Sequence, residues 1–215
     1  MDAIDAGGDS LRERKKQHTY LAAAKAAVKL VSERGIRAVR VDDICERAGI
    51  SRSTFFRYFD SKESCLIAGL HHGRLKAVLA ALQARPAAED AFTALCNAFL
   101  DITADWRDHR QMARLEMRIR AENPAVRAHS DAEYIAWEEA LARALEPRCA
   151  KAAGEAAGQV ADSVRLLGPR LVAGIVLCAV RLATEQWVRQ GAACSPAEMY
   201  AQAFGAVRTV IAAGS

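Results

Sequence analysis

The residues from 46 to 64, ERAGISRSTFFRYFDSKES, combine three phenylalanines and one tyrosine with charges of both signs, in a chain of 215 residues whose aromatic content is only 6%. A core segment would not interleave Arg52, Arg57 and Asp60 with its rings, because burial of an unpaired charge costs several kcal/mol. The stretch therefore predicts a surface that faces outward and carries chemistry.

Helical spacing divides this stretch into two faces. Phe55 and Phe59 lie four residues apart and are predicted to pack inward with Ile44 and Ile50. The other face is cationic, polar and aromatic, and consists of Arg52, Ser53, Phe56 and Arg57. Arginine can read guanine O6 and N7, a hydroxyl can bond a base edge or a phosphate, and a ring can pack on a thymine methyl. The outward face is therefore suited to DNA.

The flanking elements agree with this interpretation. Residues 41–48 are predicted to form a short helix, Gly49 to supply a turn, and Ser51 to cap a helix over 52–58 with its hydroxyl. Two short helices joined in this way form a helix-turn-helix, whose second helix enters the major groove of DNA. Tyr58 and Lys62 then fall where phosphate contacts are expected.

Charge is concentrated near the same region. Residues 10–40 contain nine lysines and arginines against two acidic residues, within a chain whose formal net charge is +4. This asymmetry indicates a polyanionic partner. An alternative is that the basic helix is merely solvated, that Phe56 and Tyr58 pack on the first helix, and that Lys62 is a solvated cation.

The rest of the chain is rich in Ala, Leu, Arg and Glu, which predicts an all-α fold. Helices are expected near 11–33, 60–84, 88–104, 106–121, 124–150, 169–190 and 196–213, with a loop at 151–159, one or two helical turns at 160–167 and a break or kink at Gly168-Pro169. The predicted domains are a disordered tail (1–10), a three-helix DNA-binding domain (11–60), a connecting helix (61–85) and a helical ligand-binding and dimerisation bundle (86–215).

The run from Gly35 to Leu66, GIRAVRVDDICERAGISRSTFFRYFDSKESCL, resembles the DNA-binding domain of the TetR family of one-component regulators. The resemblance implies contacts to a palindromic double-stranded operator from Arg40, Arg52, Ser53, Thr54, Phe56, Arg57, Tyr58 and Lys62. Two departures from the family pattern bear on these contacts. Ser53 stands where the family often has glycine, and Phe56 stands where it often has tyrosine, so a contact by Phe56 must be apolar.

In such regulators the remaining helices bind a ligand and form a homodimer. Independently, the helices 169–190 and 196–213 are too apolar to cover only their own core, which favours a dimer interface, with packing inside one monomer as the alternative. Bulky candidates for a pocket are Trp106, Met112, Leu115, Tyr134, Trp137 and Trp187, although such residues also build plain cores. Arg118 belongs to a basic stripe that could hold an anionic head group or could be solvated.

Other classes of protein lack support in the sequence. The six cysteines form no CxxC pair, and the five histidines form no HExxH set, so neither a metal site, a cofactor nor an enzyme is predicted. The acidic N-terminus does not match a signal peptide, and the apolar run 171–180 is about half of a membrane span. We therefore expect a cytoplasmic regulator, with no membrane partner, that a lipophilic or amphipathic effector releases from DNA. An architectural DNA-binding protein without a sensor role is the alternative.

Overall fold

The computed structural model describes the backbone of residues 6–103, 107–155, 158–191 and 194–213, and the side chains of these residues except 6–11, 13, 107–112, 155 and 158–161. Within these ranges the chain forms ten helices and no strand, so the all-α prediction is confirmed. The helices are α1 (Ala6–Arg34), α2 (Val41–Ala48), α3 (Arg52–Phe56), α4 (Lys62–His71), α5 (Arg74–Ala84), α6 (Ala91–Asp101), α7 (Arg107–Glu122), α8 (Pro124–Glu155), α9 (Gly158–Arg189) and α10 (Pro196–Ala213).

The chain divides into two compact units. The first comprises residues up to His72 together with Ile119–Ser130, and the second comprises Gly73–Arg118 together with the chain from Asp131 onward. In the first unit α1 packs on α2 and α4, and α2 packs on α3. In the second unit α6 packs on α5, α9 and α10, and α9 packs on α10.

Close packing holds α1 against α4 in the first unit. Gly69 lies on the face of α4 that meets α1, where an added β-carbon would stand 2.6 Å from Cγ2 of Val28 and still nearer to the carbonyl oxygen of Ala24. Real β-carbons do not approach other atoms so closely, so only glycine fits at this position without displacing a helix.

Three predicted helix bounds in or next to the first unit differ from the structure. The single helix expected over 60–84 is two helices, because Gly73 adopts a left-handed φ of 77° that ends α4 and begins α5. The N-cap of α4 is Ser61 rather than Asp60, and its hydroxyl accepts a hydrogen bond from the backbone N–H of Ser64 at 3.0 Å. Helix α1 begins at Ala6, before the expected start at Leu11.

The predicted break at Gly168-Pro169 is also wrong, because α9 continues through Pro169. Proline removes one backbone hydrogen bond from a helix. Here the proline ring is buried, and the helix beyond it buries Ala173, Val176 and Val180 in the core of the second unit. Burial of the proline ring and packing of the helix beyond it therefore outweigh the lost bond. The loop expected over 151–159 is likewise replaced by helix up to Glu155 and from Gly158.

Two stretches have the length and hydropathy of a membrane span, Lys62–Ala84 and Asp162–Arg189. The second includes the apolar run 171–180, which alone is too short to cross a bilayer. The first is interrupted at Gly73. Core helices of soluble proteins meet the same criteria, so these stretches carry little weight as evidence for a membrane protein.

Candidate nucleic-acid interface and buried polar cluster

The short helix α3 begins at Arg52 as its sequence predicts, but it ends at Phe56 rather than at residue 58. The Ser51 hydroxyl accepts a hydrogen bond from the backbone N–H of Thr54 at 3.1 Å, which satisfies one free donor at the start of the helix. Gly49, at φ 65°, closes α2 in the left-handed conformation that glycine favours. The helix-turn-helix is therefore set by local sequence signals.

Aromatic packing fixes the inner face of α3. Phe55 and Phe59 are buried with their ring centroids 5.4 Å apart, and Tyr20 of α1 stacks on Phe59 at 4.7 Å. Ile44 is fully buried, whereas Ile50 is half-buried. Most of the predicted inner set therefore forms a small core that orients the opposite face outward.

The outward face carries the predicted DNA-contacting side chains in an ordered arrangement. Arg52, Ser53, Phe56 and Arg57 are all exposed, and Phe56 keeps 47% of its surface accessible. The Arg52 guanidinium carbon lies 5.5 Å from the centroid of the Phe56 ring, and its Nη1 donates to Oδ1 of Asp42 in α2 at 2.8 Å. Arg52 therefore lies between Asp42 of α2 and the Phe56 ring.

The other residues that are predicted to contact DNA lie in different environments. Arg40 is exposed at the N-cap of α2, where its backbone N–H donates to Oδ2 of Asp43 at 2.7 Å. Thr54 and Tyr58 are half-buried, and Tyr58 meets the ring of Tyr20 edge-on at 6.3 Å. Lys62 is half-buried, and its ammonium donates to the carbonyl oxygens of Ile36 and Val39, each at 2.8 Å.

The predicted pocket residues do not all share one place in the second unit. Trp137 and Trp187 are buried in its core, Tyr134 packs against that core, and Leu115 is buried on α7. The indole N–H of Trp187 donates to the carbonyl of Cys194 at 2.9 Å. Trp106 lies outside the described residues, as does the side chain of Met112.

The basic stripe predicted on α7 does not reach the core where the structure describes it. Arg118 is exposed, and exposed Arg114 donates to the carbonyl of Gly191 at 2.8 Å. The charge in the core comes instead from Arg74, the first residue of α5. Its Nη1 lies 3.7 Å from Oε2 of Glu116, and the side chains are 15% and 4% exposed.

Aromatic and hydroxyl groups surround this ion pair. The Arg74 guanidinium carbon lies 5.8 Å from the centroid of Trp137, and the hydroxyl of Thr184 lies 3.4 Å from that of Tyr200. Burial works against the charge of Arg74, but Tyr200, Tyr134 and Glu116 outweigh it and raise the pKa of the arginine. For Tyr200, in contrast, burial itself raises the pKa, so the hydroxyl stays protonated at neutral pH. We call Arg74, Glu116, Thr184 and Tyr200 the buried polar cluster.

Sequence reasoning missed this cluster, although a signal for it exists. Arg74 precedes Val78 and Leu82 at intervals of four residues, and both of those side chains are fully buried. Glu116 follows buried Ala113 by three residues on α7. A charged residue in register with an apolar helix face is predicted to be buried with a partner of opposite charge.

Comparison with known proteins agrees with this architecture. Residues 24–68 match the family described as bacterial regulatory proteins of the tetR family, and residues 89–212 match the MftR C-terminal domain. The chain is 29% identical over 205 residues to the Mycobacterium tuberculosis protein named mycofactocin biosynthesis transcriptional regulator MftR, covering 94% of this chain and 93% of that one. It is 34% identical over 101 residues to the HTH-type transcriptional regulator TcmR of Streptomyces glaucescens, covering 47% and 44% of the two chains.

Solved structures share the fold at low identity. A TetR-family transcriptional regulator from Syntrophomonas wolfei aligns with a TM-score of 0.63 at 15% identity, over 90% of this chain and 95% of that one. FadR of Thermus thermophilus, a repressor solved in complex with lauroyl-CoA, aligns with a TM-score of 0.52 at 18% identity, over 86% and 90% of the chains. Because its N-terminal helix-turn-helix and its C-terminal helical domain each match their family models, the chain belongs to the TetR family of transcriptional regulators.

Proposed function

We propose that this regulator is a cytoplasmic homodimer that represses transcription from a palindromic operator and is released by a lipophilic or amphipathic effector. The observation that carries the DNA-binding part is the exposed face of α3, where Asp42 and Phe56 hold Arg52 in place. The named transcriptional regulators among its relatives support a role in DNA binding rather than catalysis.

Base reading is assigned to Arg52, Ser53, Phe56 and Arg57, because these side chains are exposed on one short helix. Arg40, Thr54 and Tyr58 lie nearby and would hold the DNA backbone. Two-fold symmetry would place two copies of α3 in successive major grooves, with half-sites about 34 Å or a multiple of that apart.

Arg52→Ala is expected to weaken operator binding by about 1–3 kcal/mol and to relax preference at one base position, because a bidentate contact to guanine is lost. The operator is first obtained by selection from random duplexes, and affinities are then measured for single-base variants of it. Arg47→Ala is the matched control, since Arg47 of α2 is paired with Glu33 of α1 at 3.0 Å, and its loss should leave the base preference unchanged. Equal losses on operator and random DNA for Arg52→Ala would contradict the assignment of base reading.

The second unit is the proposed effector site. Its core is apolar around Trp137 and Trp187, yet it contains the buried polar cluster, and convergent polar groups in an apolar site are typical of ligand pockets. FadR of Thermus thermophilus is described in complex with lauroyl-CoA, which makes acyl compounds a first class of probe. The ion pair of Arg74 and Glu116 carries no net charge, so a neutral head group suits it better than an ionised carboxylate, which Glu116 would repel.

Dodecanol and methyl laurate are therefore expected to bind more tightly than dodecanoate, which has a chain of similar length and a negative charge. Binding is followed by tryptophan fluorescence and operator release by titration of labelled DNA, with a loss of operator affinity of about 5- to 150-fold, the usual range of allosteric coupling. Trp137→Ala should reduce the response, whereas Ile135→Ala, which alters an exposed residue of the same helix, should not. If the probes quench fluorescence without releasing DNA, a pocket exists but the effector function is wrong. If neither these probes nor lauroyl-CoA binds, the sensor role itself is contradicted.

A further inference from the structure

Two carboxylates follow each other at the start of α2, and they have different partners. Asp43 stabilises the helix end, because its Oδ2 accepts a hydrogen bond from the backbone N–H of Arg40 at 2.7 Å. Asp42 instead accepts a hydrogen bond through its Oδ1 from Nη1 of Arg52 on α3, at 2.8 Å. The side chains of this second pair are 63% and 60% exposed. Asp42 therefore lies on the outward surface that is proposed to meet DNA.

The pair of Asp42 and Arg52 is expected to act on DNA recognition rather than on the stability of the fold. Exposed ion pairs contribute little to folding, because water screens the charges and both side chains lose conformational freedom. An anion on a surface that approaches phosphates has a larger effect, since it is repelled by DNA of every sequence. Asp42 therefore opposes the general attraction of the basic unit for DNA.

Asp42 also restricts the positions that the guanidinium of Arg52 can take. The carboxylate of Asp42 bonds one guanidinium nitrogen, and the centroid of the Phe56 ring lies 5.5 Å from the guanidinium carbon. A guanidinium has five N–H donors, so a single bond to Asp42 leaves enough of them for a bidentate contact with a base. A side chain that is already positioned loses less conformational freedom when it binds.

We infer that Asp42 is a specificity-determining residue, which positions Arg52 for base reading and lowers the affinity for DNA that lacks the base read by Arg52. The inference rests on the proposed base reading by Arg52. On the operator, the contact between Arg52 and its base offsets the repulsion between Asp42 and the phosphates. On other sequences the repulsion remains without that contact, and a repulsive element of this kind increases discrimination between partners.

Asp42→Ala is expected to lower the ratio of operator affinity to random-duplex affinity about fivefold or more, the smaller end of what a bidentate base contact provides. Loss of the negative charge should raise the affinity for random duplexes, while loss of the bond to Arg52 weakens the base contact on the operator. Damage to the fold would lower both affinities, so a rise on random DNA distinguishes the inferred role from a structural one. Affinities are measured at several salt concentrations on the selected operator, its single-base variants and random duplexes.

Two further variants separate the charge of Asp42 from its hydrogen bond. Asp42→Asn removes the charge but keeps an acceptor oxygen for Arg52, so it should raise random-duplex affinity and keep more of the base preference than Asp42→Ala. Glu46→Gln is the matched control, because it removes one negative charge from an exposed position of the same helix, in a surface depression that Arg34 and Arg47 also line. Glu46→Gln should leave the preference for the base read by Arg52 unchanged.

The inference is overturned if Asp42→Ala weakens binding to operator and random DNA equally, or if it changes neither affinity. In the Arg52→Ala protein, Asp42→Ala should change the base preference no further, and a further change would contradict the proposed action of Asp42 through Arg52. If Arg52→Ala itself leaves the base preference intact, both the base reading and the inference are wrong. If Arg52→Ala lowers that preference and Asp42→Ala does not, the inference alone is wrong and the base reading stands.

Discussion

Glutamate at both Leu171 and Val210 is expected to convert the proposed dimer into folded monomers and to lower operator affinity by about 10²- to 10⁴-fold, the gain that linking two binding modules usually provides. Leu171 and Val210 are 58% and 73% exposed in the single chain, on the adjacent helices α9 and α10. Because surface substitutions change stability by about 0.5 kcal/mol or less, the monomers should retain their fold.

The apolar side chains of α9 and α10 fall into a buried set and an exposed set. Met199, Tyr200 and Phe204 lie on α10, within the predicted interface helix 196–213, but are buried within the single chain. A charge at Phe204 would therefore unfold the second unit rather than separate subunits. The side chains left exposed form a row along α9 with a continuation on α10, and comprise Leu167, Leu171, Ile175, Leu182, Val210 and Ile211.

Sedimentation measures the change in mass, and thiol labelling supplies an independent measurement. Cys178 is exposed and lies seven residues from Leu171, on the same side of α9. Maleimide should label it slowly in the dimer and quickly in the monomer, whereas burial raises the pKa of Cys65 and of Cys96 to about 12 and keeps those thiols unreactive. Leu166→Glu is the control, because residue 166 is about 140° around the helix from Leu171. A protein that is monomeric without any substitution would contradict the interface.

The second large effect concerns the ion pair of the buried polar cluster. Arg74→Met or Glu116→Gln is expected to destabilise the second unit by about 3–5 kcal/mol, because each removes one member of a buried ion pair. At roughly 2–4 °C per kcal/mol for a chain of this size, the unfolding temperature should fall by about 6–20 °C. Thermal unfolding followed by circular dichroism measures this.

The double variant Arg74→Met, Glu116→Met separates stability from function. Apolar replacement of both partners of a buried ion pair is often neutral or stabilising, so the double variant should regain most of the lost stability. If the pair recognises the effector head group, the preference for dodecanol over dodecanoate should nevertheless remain lost. If the double variant keeps that preference, the pair serves packing alone. If the single variants lose no stability, the two charges are not coupled as their 3.7 Å separation indicates.

Local signals predicted the DNA-binding unit well. The bounds of α2 and the cap at Ser51 are as expected, because a glycine turn and a serine N-cap act within a few residues. Gly73 was harder to interpret, since a glycine inside a helical pattern ends a helix only if its φ turns positive, and apolar residues on both sides favoured continuation. Pro169 misled in the opposite direction, because burial of its ring and of the apolar residues that follow it stabilises α9 despite the lost hydrogen bond.

The features that the sequence did not predict depend on interactions between residues that are distant in the sequence. The hydrogen-bond acceptors of Lys62 are backbone carbonyl oxygens of two residues more than 20 positions earlier. Every residue has a carbonyl group, so the sequence does not indicate which ones accept these bonds. Arg74 and Glu116 are 42 residues apart in the sequence, so their pairing depends on how α5 and α7 pack. Prediction of the helix-turn-helix needed only the local sequence pattern. Prediction of the ion pair in the second unit would have needed the tertiary contacts, which residue spacing does not give.

The fit at Gly69 determines how the DNA-binding unit can move. Because Gly69 brings the backbone of α4 against the carbonyl group of Ala24 and the side chain of Val28, sliding of α4 along α1 would require the two helices to separate first. A shift of α4 would therefore move α1 with it. The exposed cations Arg12, Arg14 and Lys15 near the start of α1 would move as well. Any signal that displaces α4 would then redistribute positive charge over the DNA as well as turn the reading helix, so operator release and the loss of nonspecific attraction would occur in a single movement.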